Sequence, residues 1–180
     1  MSLHEIILPI TKPETEWVRG RALQKTGGSY AHSAVQMGFA IVLHRWAHHG
    51  GYGRVAPSWR FRVAPRSGFV RPLAPDVAYL SYGALPSDAP ADAIQVPLGA
   101  PTLAVEVLCE DDLAADIDDK VVTYLSAGSA AVVLADPDRA TVAVHDARGI
   151  CLLRTGHTLT HPALPGFALD VGALFARAKG

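Results

Sequence analysis

The stretch Thr102-Leu103-Ala104-Val105-Glu106-Val107-Leu108-Cys109 decides the fold. It is apolar at nearly every position, with no alternation of polar and apolar residues. A short run of this kind reads as a strand covered on both faces, central in its sheet. One residue breaks the pattern. A carboxylate at Glu106 with no partner would cost several kcal/mol or stay protonated. Something cationic must therefore meet it: either an arginine in a buried salt bridge, or a metal ion that Glu106 helps to hold.

Working outward, Asp76 to Ser81 reads as a short strand opened by Pro75, and Tyr82 to Pro101 as a loop rich in Pro, Ala and Asp. On the other side, Asp111 to Gly128 reads as a helix with Leu113, Ile117, Val121, Tyr124 and Leu125 on one face, and Ala130 to Ala135 as a second buried strand. Trp17 to Lys25 reads as a hairpin around Gly20. Tyr30 to His49 carries Ala31, Val35, Phe39, Val42 and Trp46 at helical spacing, with Ser29 as N-cap and Gly50-Gly51 as the stop. Tyr52 to Val63 reads as a strand broken at Pro57. Strands at Ala140 to His145, Ile150 to Arg154 and Phe167 to Asp170 follow, then a closing helix at Val171 to Ala178. This order predicts a layered α/β (α+β) fold with a mixed central sheet flanked by helices.

Asp76 alone could be a turn or strand-start residue. Beside Glu106 it completes a strand-borne carboxylate pair, which suits a hard cation such as Mg²⁺ or Mn²⁺. Lys120 could be an exposed lysine paired with Asp116 one turn earlier. Geometry offers another place for it. The strand runs on about 10 Å past Glu106, and a helix folding back over the sheet retraces that length between Leu113 and Lys120. Lys120 is also the sole Lys or Arg between Arg71 and Arg139.

The chain has 180 residues, the length of one domain, and 49% of them are hydrophobic, enough for a sizeable core. Its two cysteines, Cys109 and Cys151, form neither a disulfide framework nor a zinc motif. The first residues lack the features of a signal peptide, and no run is long enough to span a membrane, so a cytoplasmic protein is expected. The net charge of −1 conceals a segregation. No Asp or Glu occurs from Trp17 to Pro75, which holds Arg54, Arg60, Arg62, Arg66 and Arg71, whereas Glu110 to Asp119 contains six acids. The basic stretch from Arg54 to Arg71 could hold a nucleic-acid backbone, or the acid-free and acidic segments could neutralise each other across the fold. There is no P-loop, GxSxG elbow or Rossmann glycine motif. His44 and His48 lack the Glu of an HExxH motif. Cys109 and Trp46 are expected in the core, and Trp59 could pack or stack on bases.

Pro75-Asp76-Val77, Gly99 through Leu108, Asp116 through Lys120 with Tyr124 and Gly128, Asp136-Pro137, and Pro165 through Val171 with Leu174-Phe175 form an ordered series. With Glu16 through Gly20 and His32, it resembles the Uma-two type restriction endonuclease family of the PD-(D/E)XK superfamily, over nearly the whole chain. The resemblance implies a restriction-endonuclease-like fold and a Mg²⁺- or Mn²⁺-dependent nuclease hydrolysing phosphodiester bonds, with DNA as the expected substrate. It makes Asp76, Glu106 and the Val107 backbone carbonyl metal ligands, Lys120 the group that orients or deprotonates water, and Glu16 and His32 accessory residues. The position two after the glutamate, where the superfamily commonly has its lysine, is Leu108; the Uma-two type places it on the following helix. Cys109 replaces a usual serine, and Glu110-Asp111-Asp112 is more acidic than the pattern. That charge could strengthen cation binding and disfavour a phosphodiester. Cutting both strands would call for a homodimer. The alternatives are a catalytically silent nucleic-acid-binding or protein-interaction domain, and a phosphodiesterase for a small substrate.

Overall fold

The structure is a computed structural model and describes residues 4–26 and 28–179. Its centre is a six-stranded mixed sheet. The strands are β3 (Gly53–Pro57), β6 (Val77–Ser81), β7 (Leu103–Val107), β8 (Ala131–Asp136), β9 (Thr141–Asp146) and β10 (Gly149–Leu153), in the order β10-β9-β8-β7-β6-β3. Only β7 and β8 run parallel. The helix α3 (Ala114–Ser126) joins them, as a parallel pair requires a crossover. Every residue of β7 is buried.

The two faces of the sheet are covered differently. Leu103, Val105 and Val107 point with Val133 and Val144 toward α1 (Tyr30–Gly50) and the closing helix α4 (Val171–Ala176). Ala104 and Val132 point the other way, toward Val121 and Tyr124 of α3, Val18 of the hairpin β1 (Thr15–Val18) and β2 (Arg21–Gln24), and Phe61, Val63 and Leu73 of β4 (Phe61–Val63) and β5 (Arg71–Leu73). By the two-residue alternation of a strand, Glu106 shares the α3 face with Ala104. The pair β11 (Thr158–His161) and β12 (Leu164–Asp170) adds Leu159, Leu164 and Leu169 to the α1 side.

The helix α1 starts where Ser29 Oγ accepts the His32 N–H and ends at Gly51 in the left-handed region. Its buried stripe is Val35, Phe39, Leu43 and Ala47. Val42 and Trp46 flank that stripe half-buried rather than leading it. Two further expectations are corrected. The break at Pro57 separates two strands of different sheets, β3 and β4. The loop from residue 82 to 101 contains a short helix, α2 (Ala91–Gln95). Strands β5 and β11 form in segments to which the sequence pattern assigns no element. No helix among the described residues is long and apolar enough to cross a membrane.

Candidate active site

The antiparallel register of β6 and β7 pairs Val77 with Val105 and Ala78 with Ala104. Continued one residue, it sets Asp76 opposite Glu106. The Val107 N–H then donates to Asp76 Oδ2 at 2.7 Å, fixing the carboxylate at the strand end. Behind it, Gln36 of α1 donates to the Asp76 carbonyl.

Lys120 reaches this point from α3. Its Nζ lies 2.7 Å from Glu106 Oε1 and 3.0 Å from Glu16 Oε2. Glu16 is anchored in turn, accepting the Ala74 N–H at 2.7 Å. Tyr124, one turn beyond Lys120, donates its hydroxyl to Glu106 Oε1. The expected alternative partner, Asp116, instead pairs with Arg21 at 2.6 Å and Arg19 at 3.6 Å. The structure thus brings Glu16, Asp76, Glu106 and Lys120 together. His32 joins them through Nε2, 3.5 Å from Asp76 Oδ2. Its Nδ1 is buried with no partner among the described residues.

The cluster floors a cavity of about 170 Å³ whose wall includes Arg21, Val107, Asp111, Asp112 and Asp116. Among the described residues, no three His, Cys, Asp or Glu side chains are grouped for a metal ion. The cation in contact with the carboxylate pair is instead Lys25, from the end of the β1–β2 hairpin. Its Nζ sits 2.7 Å from Asp76 Oδ1 and 3.6 Å from Glu106 Oε2, and donates to the Ala74 carbonyl. Two carboxylates on adjacent strands therefore already converge on one positive charge, and the donor set fits a single hard cation.

A profile of the Uma2 family, described as "Putative restriction endonuclease", matches residues 5–172. The chain belongs to the Uma2 family. Among solved structures it is similar to "a putative nuclease belonging to DUF820" from Anabaena variabilis. The TM-score is 0.83 at 21% identity, over 95% of this chain and 94% of that one. At that identity the likeness establishes the fold, which is restriction-endonuclease-like. A comparison with curated proteins finds no match.

Electrostatics within this Uma2 site follow from burial. Glu106 is pushed up to about 7 by desolvation, against the pull of Lys120 and Lys25. Burial opposes the Asp76 carboxylate too, but Lys25, the His32 hydrogen bond and Lys120 outweigh it and hold Asp76 well below the usual range. For both lysines burial works against the charge, and Glu106 and Glu16 overcome it, so both are held above the ordinary value. Cys109 is half-buried at the cavity rather than in the core. Burial and then Asp112 push its thiol up to about 11, so at neutral pH it is not a nucleophilic thiolate.

The five arginines of the basic stretch lie away from this cavity's lining. Arg54 caps the carbonyls of Leu85, Pro86 and Ser87 and lies over the Tyr82 ring. Arg60 is buried against Glu14 and the carbonyls of Leu8 and Pro9. Arg62 is paired with Glu5 and Arg71 with Asp119. Arg66 is exposed. Trp46 packs on Tyr52, Tyr79 and Phe167, and Trp59 on Phe61. Lys25 was not signalled by sequence reasoning. It stands among eight other cations in the acid-free stretch, and its partner Asp76 is 51 residues away.

Proposed function

We propose that this Uma2 protein is a divalent-metal-dependent nuclease that hydrolyses phosphodiester bonds, with DNA as its first candidate substrate. The observation carrying this reading is the convergence of Asp76 and Glu106 on one cation beside a buried lysine. Asp76 and Glu106, with the Val107 carbonyl, would hold one Mg²⁺ or Mn²⁺. A bound ion would supply Lewis-acid activation of the phosphoryl group and of water.

The chain's own residues supply the rest. Lys120, fixed between Glu106 and Glu16, presents an ammonium to the cavity floor, where it orients a water and balances charge growing on a phosphate oxygen. Glu16 positions Lys120, and Tyr124 and the Val107 N–H lock the two carboxylates in place. His32 braces Asp76 at Oδ2, the oxygen that also accepts the Val107 N–H. One copy of such a site cuts one strand, so breaking both strands in one encounter calls for a homodimer.

A specific observation favours a second reading, a catalytically silent nucleic-acid-binding or protein-interaction domain. Lys25 occupies the carboxylate pair, and four of the five arginines are spent on internal partners. Plasmid nicking with Mg²⁺ or Mn²⁺ separates the two. Wild type should nick, and Glu106→Ala and Lys120→Ala should each lose roughly a hundredfold or more while keeping their circular dichroism spectra. Equal behaviour of wild type and both variants sinks the nuclease reading. Hydrolysis of a small aryl phosphodiester without plasmid nicking would point to a small substrate instead.

A further inference from the structure

Lys25 reaches the carboxylate pair from outside the strands and helix that carry the rest of the site. Its backbone is pinned, because its N–H donates to the Glu14 carbonyl at 2.9 Å. Its side chain is not sealed in. It is 19% exposed, against 6% for Lys120, and lines the same cavity as Asp111 and Asp112. Rotation about the lysine stem would withdraw the ammonium without moving β2.

The charges favour that withdrawal when a cation arrives. With Glu106 ionised, as metal ligation requires, Glu16, Asp76 and Glu106 face Lys25 and Lys120, three carboxylates against two ammonium groups, or one net negative charge. A divalent ion added with Lys25 in place would leave one net positive charge in a buried site. A divalent ion taking the place of Lys25 leaves none. Like charges this close in a poorly solvated site repel strongly, so the exchange is the lower-energy route.

We infer that Lys25 is a tethered stand-in for the metal: its ammonium holds Asp76 and Glu106 together in the metal-free protein, and a divalent ion binds by exchange with it. The inference rests on the metal-dependent reading above and goes beyond it by assigning Lys25 a role. Lys25 is a positioning residue that preserves the carboxylate geometry, at the expense of metal affinity. The released ammonium stays at the cavity, within reach of a substrate phosphate.

Two measurements on the full chain test it. Mn²⁺ affinity, read by calorimetry or electron paramagnetic resonance, should rise at least about tenfold in Lys25→Met once competition is removed. The same variant should melt lower than wild type without metal and gain more from Mn²⁺. Should Lys25→Met not fold without metal, wild type carries the test alone. There, acetylation of Lys25 by an amine reagent, followed by mass spectrometry, should speed up several-fold on adding Mn²⁺, with the exposed Lys12, outside the cavity's lining, as the internal reference. If both proteins bind Mn²⁺ but Lys25→Met binds no tighter, or if Mn²⁺ binds wild type and leaves Lys25 labelling unchanged, the exchange is wrong and the metal site survives. If neither protein binds Mn²⁺ at millimolar concentration, the metal site is wrong and the exchange falls with it.

Discussion

At the scale of single residues, the two carboxylates answer pH in opposite senses. Asp76 titrates below its ordinary range, so its contribution is full above that range and drains away as pH falls through the depressed value. Glu106 is raised from 4.5 to about 7, so the fold disfavours its charged form. Its contribution is full below 4.5 and lost as pH rises through about 7. Across that window wild type should lose stability as Glu106 ionises. Glu106→Gln should flatten the slope, as urea midpoints at about pH 4.5 and about pH 7.5 would show. Parallel slopes in the two proteins would mean that desolvation does not govern Glu106. The same desolvation made Glu106 legible in the sequence, because a carboxylate in an apolar strand needs a counter-charge. Which cation answers it was not legible. The arginine alternative gave way to two lysines, and one of them, Lys25, sits after a short hairpin where no periodicity marks a burial direction.

At the scale of elements, long patterns read well and short ones did not. The helix α1 has a cap, a stop and twenty-one residues of period, so its ends fell close to expectation. Strand β7 was legible from composition alone. Strands β5 and β11 have three and four residues, and α2 has five, too few for a period to show. What makes them is tertiary: β5 forms because Leu73 is buried beside Phe61 and Val63 of β4. The helix α3 carries the site lysine, yet its N-cap position is Leu113, which makes no capping hydrogen bond and is 58% exposed. A hydroxyl there would satisfy an N–H of the first turn at little loss of buried area. Leu113→Ser should therefore stabilise the protein by about 1 kcal/mol, seen as a higher melting temperature. An unchanged or lower melting temperature would mean that Leu113 contributes to the cavity wall more than to helix initiation.

At the scale of the molecule, the segregation of charge was plain in the sequence, but its meaning depended on folding. The hairpin and β5 lie against α3, so Arg21 meets Asp116 and Arg71 meets Asp119. Much of the acid-free segment from Trp17 to Pro75 is thereby neutralised within the chain rather than offered to a polyanion. Counterion release scales with the phosphates that cations neutralise, so the salt dependence of DNA binding reports how many remain free. Of the five arginines from Arg54 to Arg71, only Arg66 makes no guanidinium contact among the described residues, and it is exposed. Arg66→Ala should reduce the slope of log K against log salt by about one. Arg60→Ala should leave the slope alone and lower the melting temperature, because it strips Glu14 of its buried partner. Fluorescence anisotropy on a labelled duplex across a salt series measures both. Equal slope changes in the two variants would show that Arg60 leaves its internal partners to meet DNA. A slope near zero in wild type would move the substrate away from long nucleic acid, toward a small phosphodiester that fits a cavity of about 170 Å³ walled by acids.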